Sequence, residues 1–158
     1  MKRIMFVCHG NICRSPLAEF VMKDIVSKAG REKDFYIASA GTSFEESGNP
    51  VYPPIKEIML RHGIPFTERR AVRLRADDYE KFDLFVIMDK NNERNTLRIF
   101  GDDPQGKIKM LLSFAGVDRN VADPWYYGNF EQTYSDIFAG CTALMKYFNK
   151  REEKQCKG

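Results

Sequence analysis

The chain has 158 residues, 43% of them hydrophobic and 13% aromatic, which suits one domain with a sizeable buried core. Its formal charge of +3 carries no long basic run, which argues against nucleic-acid or membrane binding. The apolar stretch near the N-terminus, residues 4–8, is too short for a signal-peptide core or a membrane span, and four cysteines make no disulfide scaffold for a chain of this size, so a cytoplasmic, reducing compartment is expected.

Short apolar runs alternate with longer amphipathic ones, the pattern of β-α-β units and a parallel sheet. Residues 3–8 read as the first strand. Residues 16–29 read as the first helix: Leu17, Phe20, Val21, Ile25 and Val26 recur at helical spacing, Pro16 fits the first turn and Gly30 ends it. A second strand is expected over 35–40, a helix over 54–62 closed by Gly63, and a third strand over 84–88. Residues 91–100 read as helical, 108–114 as a fourth strand, and 129–150 as a long helix built on Phe130, Tyr134, Ile137, Phe138, Cys141, Leu144, Met145 and Phe148. Residues 1–150 are thus expected to form a single domain, and 151–158 a short, charged, frayed tail that holds Cys156. No repeat, linker or low-complexity segment interrupts the pattern.

The segment Cys8-His9-Gly10-Asn11-Ile12-Cys13-Arg14-Ser15 lies between the first strand and the first helix. A loop entering a helix N-terminus aims several backbone N–H groups at one centre, and the helix dipole adds partial positive charge there. Such a centre suits a phosphate-sized oxyanion and favours the thiolate of a cysteine at its start, which is the attacking form. Arg14 would clamp two phosphate oxygens with its planar fork, a geometry lysine cannot reproduce. Backbone N–H groups from His9, Gly10, Asn11, Ile12, Cys13 and Arg14 would cover the rest, with Gly10 and Asn11 suited to unusual backbone angles. Ser15 is placed to donate its hydroxyl to the Cys8 sulfur. No Gly-Lys-Ser/Thr ending supports a nucleotide loop, and no Gly-x-Gly-x-x-Gly follows a strand.

With Asp123-Pro124-Trp125-Tyr126 far downstream, the run Val7 to Pro16 resembles the low-molecular-weight protein tyrosine phosphatases over nearly the whole chain. Ser39-Ala40-Gly41-Thr42, Arg61-His62-Gly63-Ile64 and Val86-Ile87-Met88-Asp89 recur in that family in the same order. The resemblance implies a three-layer, flavodoxin- or Rossmann-like α/β fold with a four-stranded parallel sheet in the order 2-1-3-4. It implies hydrolysis of phosphotyrosine or another aryl phosphate through a cysteinyl phosphate, without metal or cofactor, by a monomer whose loop also takes free phosphate or sulfate.

The resemblance also assigns roles. Asp123 becomes the general acid and then the base; from spacing alone it reads as a turn or helix cap no better placed than Asp89 or Asp118. Trp125 and Tyr126 form one wall of the substrate slot, and an ungapped match puts Glu45 on the other. Asn11, Ser39 and His62 brace the loop, and Cys13 can pair reversibly with Cys8. Tyr126 and Tyr127 resemble positions phosphorylated in some relatives. His9 departs from the family, which places a small or apolar residue there. Arg69, Arg70, Arg73 and Arg75 read most simply as solvated surface, and Cys141 as core.

Two alternatives come from other classes. A thiol-coupled arsenate reductase shares the fold and loop but needs further cysteines, and none lies between residues 63 and 112. A silent phosphate-binding module needs neither a nucleophile nor a proton donor. Arginine-phosphate enzymes also resemble the chain but carry threonine where Ile12 stands, so Ile12 favours phosphotyrosine.

Overall fold

In a computed structural model of the protein, the structure describes residues 1–157. In chain order the elements are β1 (Lys2–Cys8), α1 (Arg14–Lys28), β2 (Phe35–Gly41), α2 (Pro53–Arg61), α3 (Asp78–Lys81), β3 (Leu84–Ile87), α4 (Lys90–Phe100), β4 (Ile108–Met110), α5 (Pro124–Tyr127) and α6 (Phe130–Lys157). All strand pairs are parallel and the order is β2-β1-β3-β4. The fold expected from the resemblance is the fold observed.

Alternation along β1 builds the three layers, because successive strand residues face opposite sides. Ile4, Phe6 and Cys8 pack with Leu17, Val21 and Met22 of α1, Ile55 and Met59 of α2, and Ile137, Cys141 and Leu144 of α6. Met5 and Val7 face the other way, with Tyr79 of α3, Phe85 and Ile87 of β3, and Ile99 and Phe100 of α4. Both faces of the sheet are covered, which is why its strands read as continuous apolar runs. Phe6, Leu17 and Ile137 are fully buried; truncating such a side chain to alanine costs about 2–5 kcal/mol.

Four elements differ from the sequence reading. The expected strand over 108–114 ends at Met110, and Leu111–Ala115 coil into a short 3-10 helix. A strand would send Leu111 and Leu112 to opposite faces; the tighter coil buries both. They lie on the α6 side, where a Cβ built on Gly140 would stand 2.4 Å from the Leu111 side chain, so Gly140 makes room for Leu111. The last helix does not stop at 150 but runs to Lys157, across the segment expected to be a frayed tail. Arg31 holds it there through Asn149 and Glu152, and Arg151 bonds the Tyr147 hydroxyl. Residue 158 of that expected tail lies outside the described residues. The short helices α3 and α5 had no sequence signal long enough to find. No helix among the described residues is long and apolar enough to cross a membrane.

Candidate active site

In a parallel sheet of this order the chain leaves β1 for one side and returns on the other, so a crevice opens at the carboxyl ends of β1 and β3. Cys8 ends β1 there, in register with Gly41 at the end of β2. Thr42 N–H and Ser43 N–H donate to the carbonyls of Cys8 and His9, which stitches the end of β2 to the start of the loop. A Cβ on Gly41 would sit 2.7 Å from the His9 carbonyl and 3.1 Å from the Asn11 nitrogen. Only glycine lets the loop backbone lie that close.

The loop turns on Asn11, whose φ of 60° is the one left-handed non-glycine conformation among the described residues. From Gly10 to Cys13 no backbone N–H donates to a protein acceptor among the described residues. Arg14 then begins α1 without a side-chain cap. The result is a nest of converging donors at a helix N-terminus, with the Cys8 sulfur at its start. Cys8, Gly10, Ile12, Cys13 and Arg14 line a cavity of about 160 Å³ closed on its far side by Asp123, Trp125 and Tyr126.

Arg14 is almost fully buried. Its Nη1 donates to Asp89 Oδ2 and to the Val121 carbonyl, both at 2.8 Å, and its Nη2 stands 3.5 Å from Asp123 Oδ2. Burial alone would lower the pKa of this guanidinium, but Cys8, Asp89 and Asp123 together hold it above its ordinary value. The structure thus brings Asp123 to Arg14 across 109 positions of chain. Asp123 also caps α5, its Oδ1 accepting from the Trp125 N–H at 3.0 Å. The cap orients the carboxylate while leaving Oδ2 toward the cavity.

Cys13 shares the loop, but burial, reinforced by Cys8 and Asp123, pushes its thiol well above the usual range. It is held as a protonated thiol beside the Cys8 sulfur. Ser15 Oγ lies 3.0 Å from that sulfur. Asn11 Nδ2 donates to Ser15 Oγ at 2.8 Å and to Ser39 Oγ at 3.0 Å. Asn11, Ser15 and Ser39 therefore form one buried cluster behind Cys8.

His62 does not join that cluster. Its Nε2 faces Glu131 at 2.8 Å and its ring stacks on Tyr134 with centroids 3.8 Å apart, so a carboxylate and an aromatic ring of the last helix draw it away from Asn11. Arg69 contacts Asn11 instead, although a surface role was expected for it. Glu45 stands at the cavity rim, 3.3 Å from His9 Nε2, and Trp125 packs against Tyr52 with ring centroids 4.8 Å apart. Tyr126 also lines the cavity but is 78% exposed. Besides Arg69, the sequence reading missed Asp89 as the partner of Arg14, and Glu19. An acid at position 19 inside an apolar helical stripe was a signal that could have found the last.

Comparison with known proteins agrees with this geometry. The family model described as low molecular weight phosphotyrosine protein phosphatase matches residues 3–155. The low molecular weight protein-tyrosine-phosphatase YfkJ of Bacillus subtilis is 35% identical over 155 residues, covering 97% of this chain and 99% of that relative. A low molecular weight phosphotyrosine protein phosphatase of Schizosaccharomyces pombe is 38% identical over 151 residues, with 94% and 92% covered. The crystal structure of YfkJ superposes with a TM-score of 0.92 at 36% identity over 96% of each chain. With cysteine, arginine and aspartate converging on one nest, and with likeness running through almost the full length, the chain belongs to the low molecular weight phosphotyrosine protein phosphatases.

Proposed function

We propose that the chain hydrolyses aryl phosphate monoesters, with phosphotyrosine in a protein as the substrate class, through a phosphorylated Cys8. The sulfur attacks phosphorus in line and the bond to the tyrosyl oxygen breaks, with Asp123 giving that oxygen its proton. The Asp123 carboxylate then takes a proton from water, whose oxygen displaces the sulfur and releases inorganic phosphate. Arg14 and the loop N–H groups hold the equatorial oxygens through both steps and supply the positive charge that the transition state requires. Asp89 and the Val121 carbonyl occupy Nη1 and so set the plane of the guanidinium. The Ser15 hydroxyl stabilises the sulfur when it leaves.

The observation that carries this reading is the juxtaposition of a near-buried thiol, a nest of free backbone donors, Arg14 and Asp123 in one small cavity. The aromatic wall of Trp125 and Tyr126 favours an aryl ester. Free phosphate or sulfate would occupy the same nest. Thiolate chemistry of this kind belongs in the cytoplasm, and a single domain acting as a monomer is sufficient for it.

Cys8→Ser is expected to abolish hydrolysis of p-nitrophenyl phosphate, and acid quenching of the wild-type reaction is expected to trap phosphate on Cys8. Near-native turnover by the serine variant would rule out the covalent route.

A further inference from the structure

Beside the cavity that takes the phosphate lies a second one of about 560 Å³, between the start of α4 and the segment that carries Asp123. The two share His9, Arg14, Asp123 and Tyr126, which form the partition between them. The second cavity extends away from Cys8, to Asn91 and Asn95 of α4 and to Asn120 of the loop. Asn91 and Asn95 stand one helical turn apart and so share a face of the helix. Asn92, between them, is committed to the capping box with Asp89.

We infer that this second cavity is the subsite for the main chain flanking the phosphotyrosine, with Asn91, Asn95 and Asn120 donating their side-chain N–H groups to peptide carbonyls. This rests on the phosphotyrosine reading of the active site and says where the rest of the substrate lies. The hydrogen-bond inventory carries it. The Lys90 N–H, an obligate donor, points at one end of the Asn120 amide at 3.2 Å. That end is therefore the oxygen, and the Asn120 Nδ2 group has no acceptor among the described residues. Arg98 Nη1, also a pure donor, stands 3.4 Å from Asn95 and marks its oxygen in the same way. The Asn91 side chain has no hydrogen-bond partner among the described residues. Three amide groups lining one cavity thus have N–H hydrogens to give.

Each charged side chain of the lining is already engaged: Arg14 with Asp89 and the Val121 carbonyl, Asp123 with Arg14 and the Trp125 N–H, and His9 with Glu45. What remains for recognition is uncharged amide. Its natural counterpart is the peptide backbone, whose carbonyls are strong acceptors present in every sequence. Position supplies the second argument. An aryl group is one ring long, so a phosphorus seated at Cys8 leaves the tyrosine main chain at the cavity mouth, beside the partition that the two cavities share. An extended segment leaving that point meets the asparagines next. Such a subsite would favour phosphorylated chains over small aryl phosphates without selecting a sequence.

The test compares two esters of the same leaving-group type: phenyl phosphate, which has no chain, and a blocked pentapeptide with phosphotyrosine among alanines, which offers only main chain to read. Asn91→Ala/Asn95→Ala removes two of the donors; both positions lie on a helix, where alanine is the most favourable residue, and neither lines the phosphate cavity. The wild-type chain is expected to prefer the pentapeptide in kcat/KM, and the double variant to lose about tenfold of that preference, the effect of two neutral hydrogen bonds. The loss should fall on KM, since contacts remote from phosphorus bind ground state and transition state alike. A wild-type chain without the preference, or a variant that keeps it or loses kcat on both esters equally, overturns the subsite. If the chain hydrolyses neither ester, the phosphatase reading fails, and calorimetry of the pentapeptide on the Cys8→Ser chain decides the subsite without turnover. Binding weakened by Asn91→Ala/Asn95→Ala would support it there, and equal or absent binding would overturn it.

Discussion

Asn11, in the floor of the cleft, has every hydrogen-bonding position of its amide matched to a protein partner. Across the cavity, Trp125, Tyr126 and Tyr127 stand 53%, 78% and 75% exposed on a four-residue helix. The floor is assembled from β1, α1, β2 and the segment carrying Arg69, so it is an extension of the core. The opposite wall is a surface loop tied down at separate points: Arg119 to Asp136, Asn120 to Lys90, Val121 to Met88 and to Arg14, Ala122 to Thr133, and Asp123 to Arg14. In the proposed reaction one side would hold a fixed geometry around phosphorus, and the other a proton donor and an aromatic face against a variable ester. Rigidity is concentrated where charge develops, and tolerance to change is left where the leaving group differs from substrate to substrate.

This contrast predicts how substitutions divide between activity and stability. The largest loss of rate without loss of stability is expected at the wall: Asp123→Asn should lower kcat for p-nitrophenyl phosphate by about 10²–10⁴-fold, the range for a missing general acid, with an unchanged melting temperature. A fall in melting temperature of more than a few degrees would mean that the wall is part of the core after all. Next comes the floor, where both properties should suffer together. Gly41→Ala forces a methyl group against the loop backbone and is expected to destabilise the fold by about 1–3 kcal/mol. The same shift should cost on the order of 10²-fold in kcat, because the nest no longer converges on phosphorus. Full activity in this variant would show the loop to be adjustable. The smallest effect belongs to the exposed wall again: Trp125→Ala should raise KM for a phosphotyrosine peptide several-fold, by about 0.5–1.5 kcal/mol of lost aromatic contact, with stability unaffected.

The strand, loop and first helix were legible because each rests on local chemistry. An apolar run, a cysteine followed by glycine and asparagine, and a proline in the first helical turn all lie within one stretch. The order of the sheet and the identity of Asp123 became legible only through family likeness. As an aspartate before proline, Asp123 reads as a helix cap, and it is one; its second role depends on Arg14 being brought to it across the fold. Arg69 could not be told from Arg70 and Arg73, which bond to the nearby carbonyls of Gly48 and Leu74. What singles it out is an asparagine oxygen 58 positions earlier that needs a donor. His62 failed for the converse reason, since Glu131 and Tyr134 compete for it from a helix whose placement no local pattern reveals. The early end of β4 has the same origin, because its apolar residues fit the end of a strand and the start of a coil equally well.

The last helix backs the first. Ile137, Cys141 and Leu144 of α6 are fully buried, and the Cys141 sulfur lies 3.8 Å from the Ala18 carbonyl, 123 positions away. During synthesis, then, a chain translated only as far as residue 129 carries every side chain of the proposed site but lacks the helix that packs behind α1. Contacts of such long sequence separation form late. The first helix therefore acquires its full packing only after the C-terminal segment has been made.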